Sequence, residues 1–192
     1  MSDSPSTPSP AIERALRAAA IDTEQHVARA GWDQPPRLFA LVRNSLLAQR
    51  EPGMGEQLQD APTNGYTAVE QEGLPQTSDM ESMLARLAWP EDVAGAALAI
   101  ERIVVPPEAE RDLPADPDRA TEVLAAHPAR KDVRVLVAVN RPGEAICLLR
   151  QRAYDTDDAV ARGRDLAPGL VHALAMTFSD ADESQPGDTR GL

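Results

Sequence analysis

Ile12, Leu16, Ala19, Ala20, Thr23 and Val27 recur at three- and four-residue spacing, with Pro10 ahead of them and Gly31 behind. That spacing predicts a helix over 11–30 that presents one buried stripe. The run Leu38-Phe39-Ala40-Leu41-Val42 follows a Pro35-Pro36 pair and reads as a short strand. A Gly/Pro-rich loop over 51–65 then leads into Tyr66-Thr67-Ala68-Val69-Glu70, a weaker strand. Ser78-Asp79-Met80-Glu81 has the S-x-x-E form of a capping box. Met80, Met83, Leu84 and Leu87 follow as one apolar helical face, closed by Pro90.

Residues 94–105 carry two signals: the alanine-rich start suits a helix, whereas Ile100-Glu101-Arg102-Ile103-Val104-Val105 suits a strand stopped by Pro106-Pro107. Residues 108–119 are acidic and proline-bearing and read as a solvated excursion, with a short helix over 119–126 after it. The clearest alternation is Val133, Val135, Val137 and Val139 against Arg134, Leu136, Ala138 and Asn140, the period of a strand. Arg141-Pro142-Gly143 turns the chain, and Ala145-Ile146-Cys147-Leu148-Leu149 returns, apolar on both faces and therefore central in its sheet. A helix over 166–178 turns Leu170, Ala173, Leu174 and Phe178 inward, with Asp165 as its expected N-cap.

Strands grouped between helices predict a single α+β domain. It comprises an antiparallel sheet of about four or five strands on one main layer of helices. The expected boundaries are a tail at 1–10, the domain at 11–178 and a second tail at 179–192, both tails being Ser/Pro- or Ser/Asp/Gly-rich.

Composition narrows the function classes. The chain has 192 residues and a formal charge of −12, with 18 Arg, one Lys (Lys131) and 32 Ala. An Arg/Ala skew of this kind follows a GC-rich coding sequence. The negative charge opposes phosphate backbones and anionic lipid surfaces, so neither nucleic acid nor a membrane is an expected partner. No apolar run reaches the ~20 residues of a membrane span, and the Ser/Pro-rich start lacks a basic signal region. One cysteine, Cys147, cannot form an internal disulfide, which agrees with a cytoplasmic location.

No catalytic motif emerges. His26, His127 and His172 fall in three different elements with no partner at ligand spacing, so no metal site is expected. Cys147 lies between Ile146 and Leu148 and reads as a small buried hydrophobe rather than a nucleophile. No serine elbow, phosphate loop or dinucleotide fingerprint is present, and no cofactor is expected. Asp155-Thr156-Asp157-Asp158 lacks the remaining ligands of a calcium loop and reads as a solvated turn. The charged strand positions Glu101, Arg134 and Arg150 are the candidate ligand contacts. Folding the hairpin at Pro142-Gly143 brings the two arginines together, where they form either an interstrand ion network with Glu101 or a pocket for an acidic ligand. Trp32 and Trp89, two of only six aromatic residues, stand beside prolines at helix ends. Each either closes the core or anchors a protein partner.

Several of these strings recur together: Gly31-Trp32-Asp33-Gln34-Pro35-Pro36-Arg37-Leu38-Phe39-Ala40-Leu41-Val42 and Leu87-Ala88-Trp89-Pro90, then Glu101-Arg102 ahead of Val104-Val105-Pro106-Pro107. His127-Pro128 and Asp165-Leu166-Ala167-Pro168-Gly169-Leu170 complete the set. In this order, over roughly 11–178, they resemble an uncharacterised family of actinobacterial proteins. The resemblance implies a cytoplasmic protein and carries over no activity and no site residues. The expectation is thus a non-catalytic interaction or regulatory protein acting on a protein partner or a second copy of itself. The alternative is a binder or enzyme for a small acidic molecule, with its site between sheet and helices.

Overall fold

The computed structural model describes residues 10–50, 53, 61–74 and 80–178. The expected tails (beyond Pro10, which opens the first helix), the capping box at Ser78 and most of the 51–65 loop lie outside the described residues. Helix α1 (Pro10–Arg29) buries Leu16, Ala19, Ala20, Thr23 and Val27 of the predicted stripe, leaves Ile12 half-buried, and buries one carboxylate with them, Glu24. The Thr23 hydroxyl is satisfied inside the helix by the Ala19 carbonyl at 2.6 Å. The other elements are β1 (Arg37–Arg43), α2 (Asn44–Arg50), β2 (Tyr66–Glu70), α3 (Met80–Leu84), β3 (Val93–Val104) and α4 (Pro107–Arg111). They are followed by α5 (Pro117–Ala126), β4 (Lys131–Asn140), β5 (Ala145–Gln151), β6 (Ala161–Gly163) and α6 (Pro168–Met176).

The six strands form one antiparallel sheet in the order β2-β1-β3-β4-β5-β6. This is the α+β architecture expected, with one strand more than the upper count. The addition, β6, is three residues long and pairs Cys147 with Gly163 and Leu149 with Ala161, too short for an alternation to register.

Residues 94–104 are strand throughout, which resolves the double signal. Ala96, Leu98 and Ile100 enter one apolar cluster, Ala97 and Ala99 the other. Alanine is a helix former by local preference, but packing overrides it here. Ala97, Ala99 and Ala138 lie on the face that α1 covers, where small side chains let the helix approach the sheet closely. The opposite face carries Val133, Val135, Val137 and Val139 and is covered by α3 and α6. Helices therefore lie on both faces rather than in one main layer, because strands apolar on both sides need two covers.

Three local expectations change. Residues 107–111 form a helical turn that overlaps the start of the 108–119 stretch read as solvated excursion, entered through Pro107 at its first position. Helix α5 starts two residues early, with the Asp116 carboxylate accepting from the N–H groups of Asp118 and Arg119. Helix α6 is entered from Ala167, not Asp165; Pro168 has no N–H to cap and its fixed φ already suits a first helical position. The hairpin between β4 and β5 closes on a three-residue loop ending at Gly143, whose φ of 91° favours glycine.

Candidate functional site

The three charged positions named from the sequence do meet. Glu101 is opposite Arg134 across β3 and β4, and Arg134 is opposite Arg150 across β4 and β5. They form one row beneath the C-terminal half of α1. Side-by-side guanidinium groups repel, and the fold surrounds them with carboxylates. Arg150 donates to both oxygens of Glu24 at 2.6 and 2.8 Å, to Asp155 at 3.1 Å and to Asp157 at 2.6 Å. These bonds, led by the Glu24 pair, push the Arg150 guanidinium well above its ordinary value. Arg134 donates to Glu101 at 2.7 Å and to the Gly31 carbonyl. The space that Val27, Pro35 and Ala99 line beside it has no room for a water molecule. The acidic cluster over 155–158 thus supplies partners for Arg150, which no spacing rule in the sequence indicated.

The Gly31-Trp32-Asp33 string is a clasp on this row. The Trp32 indole N–H donates to Asp155 at 2.8 Å, and its ring lies 4.4 Å from the Arg134 guanidinium carbon and 5.6 Å from that of Arg152. Asp33 adopts a left-handed φ of 64°, which Asp tolerates. Its N–H reaches Glu101 at 2.8 Å while its carboxylate grips Arg152 at 2.9 and 2.8 Å. Trp32 is half-buried, with its ring engaged by cations. Trp89 is buried on the other face, stacks on Phe178 at 6.1 Å and donates to the Thr177 hydroxyl at 2.9 Å. Burial removes Trp89 from the role of partner anchor. Arg141 ties the Leu87-Ala88-Trp89-Pro90 string down by donating to the carbonyls of Trp89, Pro90 and Val93.

A larger concavity lies elsewhere and is lined by none of Glu101, Arg134, Arg150, Trp32 and Trp89. A cleft of about 840 Å³ opens between α1 and the β1–β2 edge. Ala15, Ala18, Phe39 and Ala68 form its apolar floor, Asn44 and Thr67 one polar end, and His26 and Glu70 the other. At the first end the Thr67 hydroxyl donates to Asn44 Oδ1 at 2.7 Å, and Asn44 Nδ2 donates to the Pro62 carbonyl at 2.9 Å. At the second, Arg37 donates to both oxygens of Glu70 at 2.6 and 2.7 Å and to His26 Nε2 at 3.1 Å. Arginine cannot accept, so this last bond uses the imidazole lone pair. The Arg37 bond holds the Glu70 carboxyl below the usual range, against the opposing effect of partial burial. The one sequence signal for the cleft was a second stripe on α1: Arg14, Ala18, Asp22 and His26, four residues apart beside the buried one. Ala18 in that stripe leaves room that a larger residue would fill.

Cys147 is fully buried and burial pushes its thiol up, in keeping with a packing role. Among the described residues, no group of three His, Cys, Asp or Glu is placed to hold a metal ion. No described helix is long and apolar enough to cross a membrane.

No curated protein and no solved structure matches the chain. A family model described as PPA1309-like protein matches residues 16–179, a span that takes in the Gly31-Trp32-Asp33 clasp and all six strands, and the chain belongs to that uncharacterised family.

Proposed function

We propose that this chain is a non-catalytic binding protein whose ligand, a small organic molecule with an apolar face, lies in the cleft between α1 and the β1–β2 edge. One observation carries the reading. The cleft's volume, about 840 Å³, falls within the ~300–1,000 Å³ of ligand pockets, and its apolar floor lies between two polar ends. Those ends are braced: the His26 lone pair is held by Arg37 and the Asn44 amide by Thr67 and Pro62. Fixed polar groups around an apolar floor favour recognition. The proposed site is built from other residues than Arg134, Arg150 and Glu101, the contacts that the ligand alternative named. A cytoplasmic location and an actinobacterial source are part of the same proposal, supported by the lone cysteine and the Arg/Ala-rich composition.

A fragment screen by protein-observed NMR tests this, with Ala18→Trp as the filled-cleft control. Ala18 is exposed on α1, so the bulk projects into the cleft without entering the core. Binders should shift resonances of Ala15, Ala18 and Ala68 and lose affinity by about tenfold or more in the variant. Binding that is unchanged by Ala18→Trp, or a library without a single cleft binder, refutes the reading. Docking of a partner chain has one observation of its own: among the described residues, β2 pairs only with β1, and Val69 on it is 41% exposed. A partner adding to this sheet edge would protect the β2 amides from hydrogen exchange, which a ligand confined to the cleft floor would not.

A further inference from the structure

Helix α1 leaves a second recess on its other flank, over β5 and β6. Its floor holds a buried acid. Glu144 is 2% exposed, and its Oε2 accepts from Asn140 Nδ2 at 2.8 Å. The Glu144 backbone N–H in turn donates to Asn140 Oδ1 at 2.8 Å. Oε1 has no hydrogen-bond partner among the described residues. A buried acceptor without a donor is costly and calls for an explanation. Glu144 lines a cavity of about 190 Å³ walled by Leu16 and Ile146, with Arg17, Arg162 and Arg164 around it. Glu13 pairs with Arg17 at 3.3 Å and with Arg164 at 3.8 Å, whereas Arg162 has no ion pair among the described residues. Register explains the convergence. Arg162 is opposite Leu148, on the sheet face that Glu144 and Ile146 share.

We propose that this recess binds a small zwitterion, with the chemistry of a free amino acid: a protonated amine on Glu144 and a carboxylate on Arg162. The charge order carries the choice. A simple cation would face three guanidinium groups at the rim, and a simple anion would face Glu144 on the floor. A molecule with a cation at one end and an anion at the other satisfies both, and donates the hydrogen bond that Oε1 lacks. Bidentate recognition by arginine suits the carboxylate end. The cavity admits a molecule of amino-acid size between Leu16 and Ile146. The site is separate from the α1/β1–β2 cleft and does not depend on it.

Calorimetric titration of the full chain with glycine, alanine, 4-aminobutyrate, lysine and arginine tests the proposal, with ethylamine and acetate as probes of one charge each. At least one amino acid should bind with a Kd of about 10 mM or tighter, and each half-probe at least about tenfold more weakly. Glu144→Gln and, separately, Arg162→Ala should each weaken the amino acid by about tenfold. Arg162 is exposed, so its variant keeps the test available if Glu144→Gln fails to fold. Ala18→Trp should leave this binding unchanged. No heat with any of the five amino acids overturns the proposal and leaves bridging water as the partner of Glu144. Acetate binding as tightly as the amino acids, or an Arg162→Ala variant that binds normally, overturns it equally.

Discussion

Replacing Arg150 with alanine removes one guanidinium from contact with three carboxylates, and the cost can be worked out from their burial. The Arg150 and Glu24 side chains are 2% and 4% exposed. Deleting one member of a buried pair strands the other charge and costs about 3–5 kcal/mol. Asp155 and Asp157 are 43% and 64% exposed, and each such contact adds only ~0–1 kcal/mol. Nearly the whole loss therefore comes from Glu24, left without its partner on the buried face of α1. The expected loss is about 3–5 kcal/mol, or about 10 °C in melting temperature for a domain this size. Urea unfolding followed by circular dichroism measures it. The double variant Glu24→Leu/Arg150→Met supplies the internal control. It removes both charges while keeping volume, so it should fall within about 1–2 kcal/mol of the parent. The reasoning fails if Arg150→Ala costs less than about 1 kcal/mol, or if the double variant is as unstable as the single.

Three further outcomes follow from particular contacts. In Gly95→Ala the new Cβ would lie 2.5 Å from the Val139 carbonyl oxygen and 3.2 Å from Asn140 Cα, so β3 must separate from β4; a loss of about 1–3 kcal/mol in urea unfolding is expected. The Asp155 carboxyl is held below its usual range first by the Trp32 indole N–H and then by Arg150, against partial burial. Its contribution to stability is therefore present above the unfolded value near ~3.9 and is lost as pH falls through the lower folded value. In a Trp89→Phe background, Trp32 fluorescence should titrate below pH ~4, and Asp155→Asn should abolish that transition; a midpoint at or above the ordinary Asp value would contradict the assigned bond. Glu70 is depressed in the same sense by Arg37, so Glu70→Gln should make stability less dependent on pH across the acid limb and leave it flatter than the parent in acid-unfolding curves.

The elements were legible where period and punctuation agreed. The α1 stripe from Leu16 to Val27, the Val133–Val139 alternation and the turn at Gly143 each state their own geometry, because a helix face and a strand face have fixed periods. The antiparallel α+β class followed from their order. The meeting of Arg134 and Arg150 was legible too, since a hairpin with a known turn dictates its register. Their partners were not. Glu24 lies 126 positions from Arg150 in sequence, and only the docking of α1 across β4 and β5 brings the two together.

Residues 94–99 show the same division from the other side. Local preference alone favours helix there, and burial between α1 and α6 selects strand. Sequence by itself determined the periods, the stops and the net charge of −12. Tertiary structure alone decided which carboxylate neutralises which arginine, that Trp89 closes a core, and that α1 is flanked by two recesses. The reason is that these properties depend on the relative placement of whole elements, and no residue's neighbours in sequence encode the distance to a residue a hundred positions away.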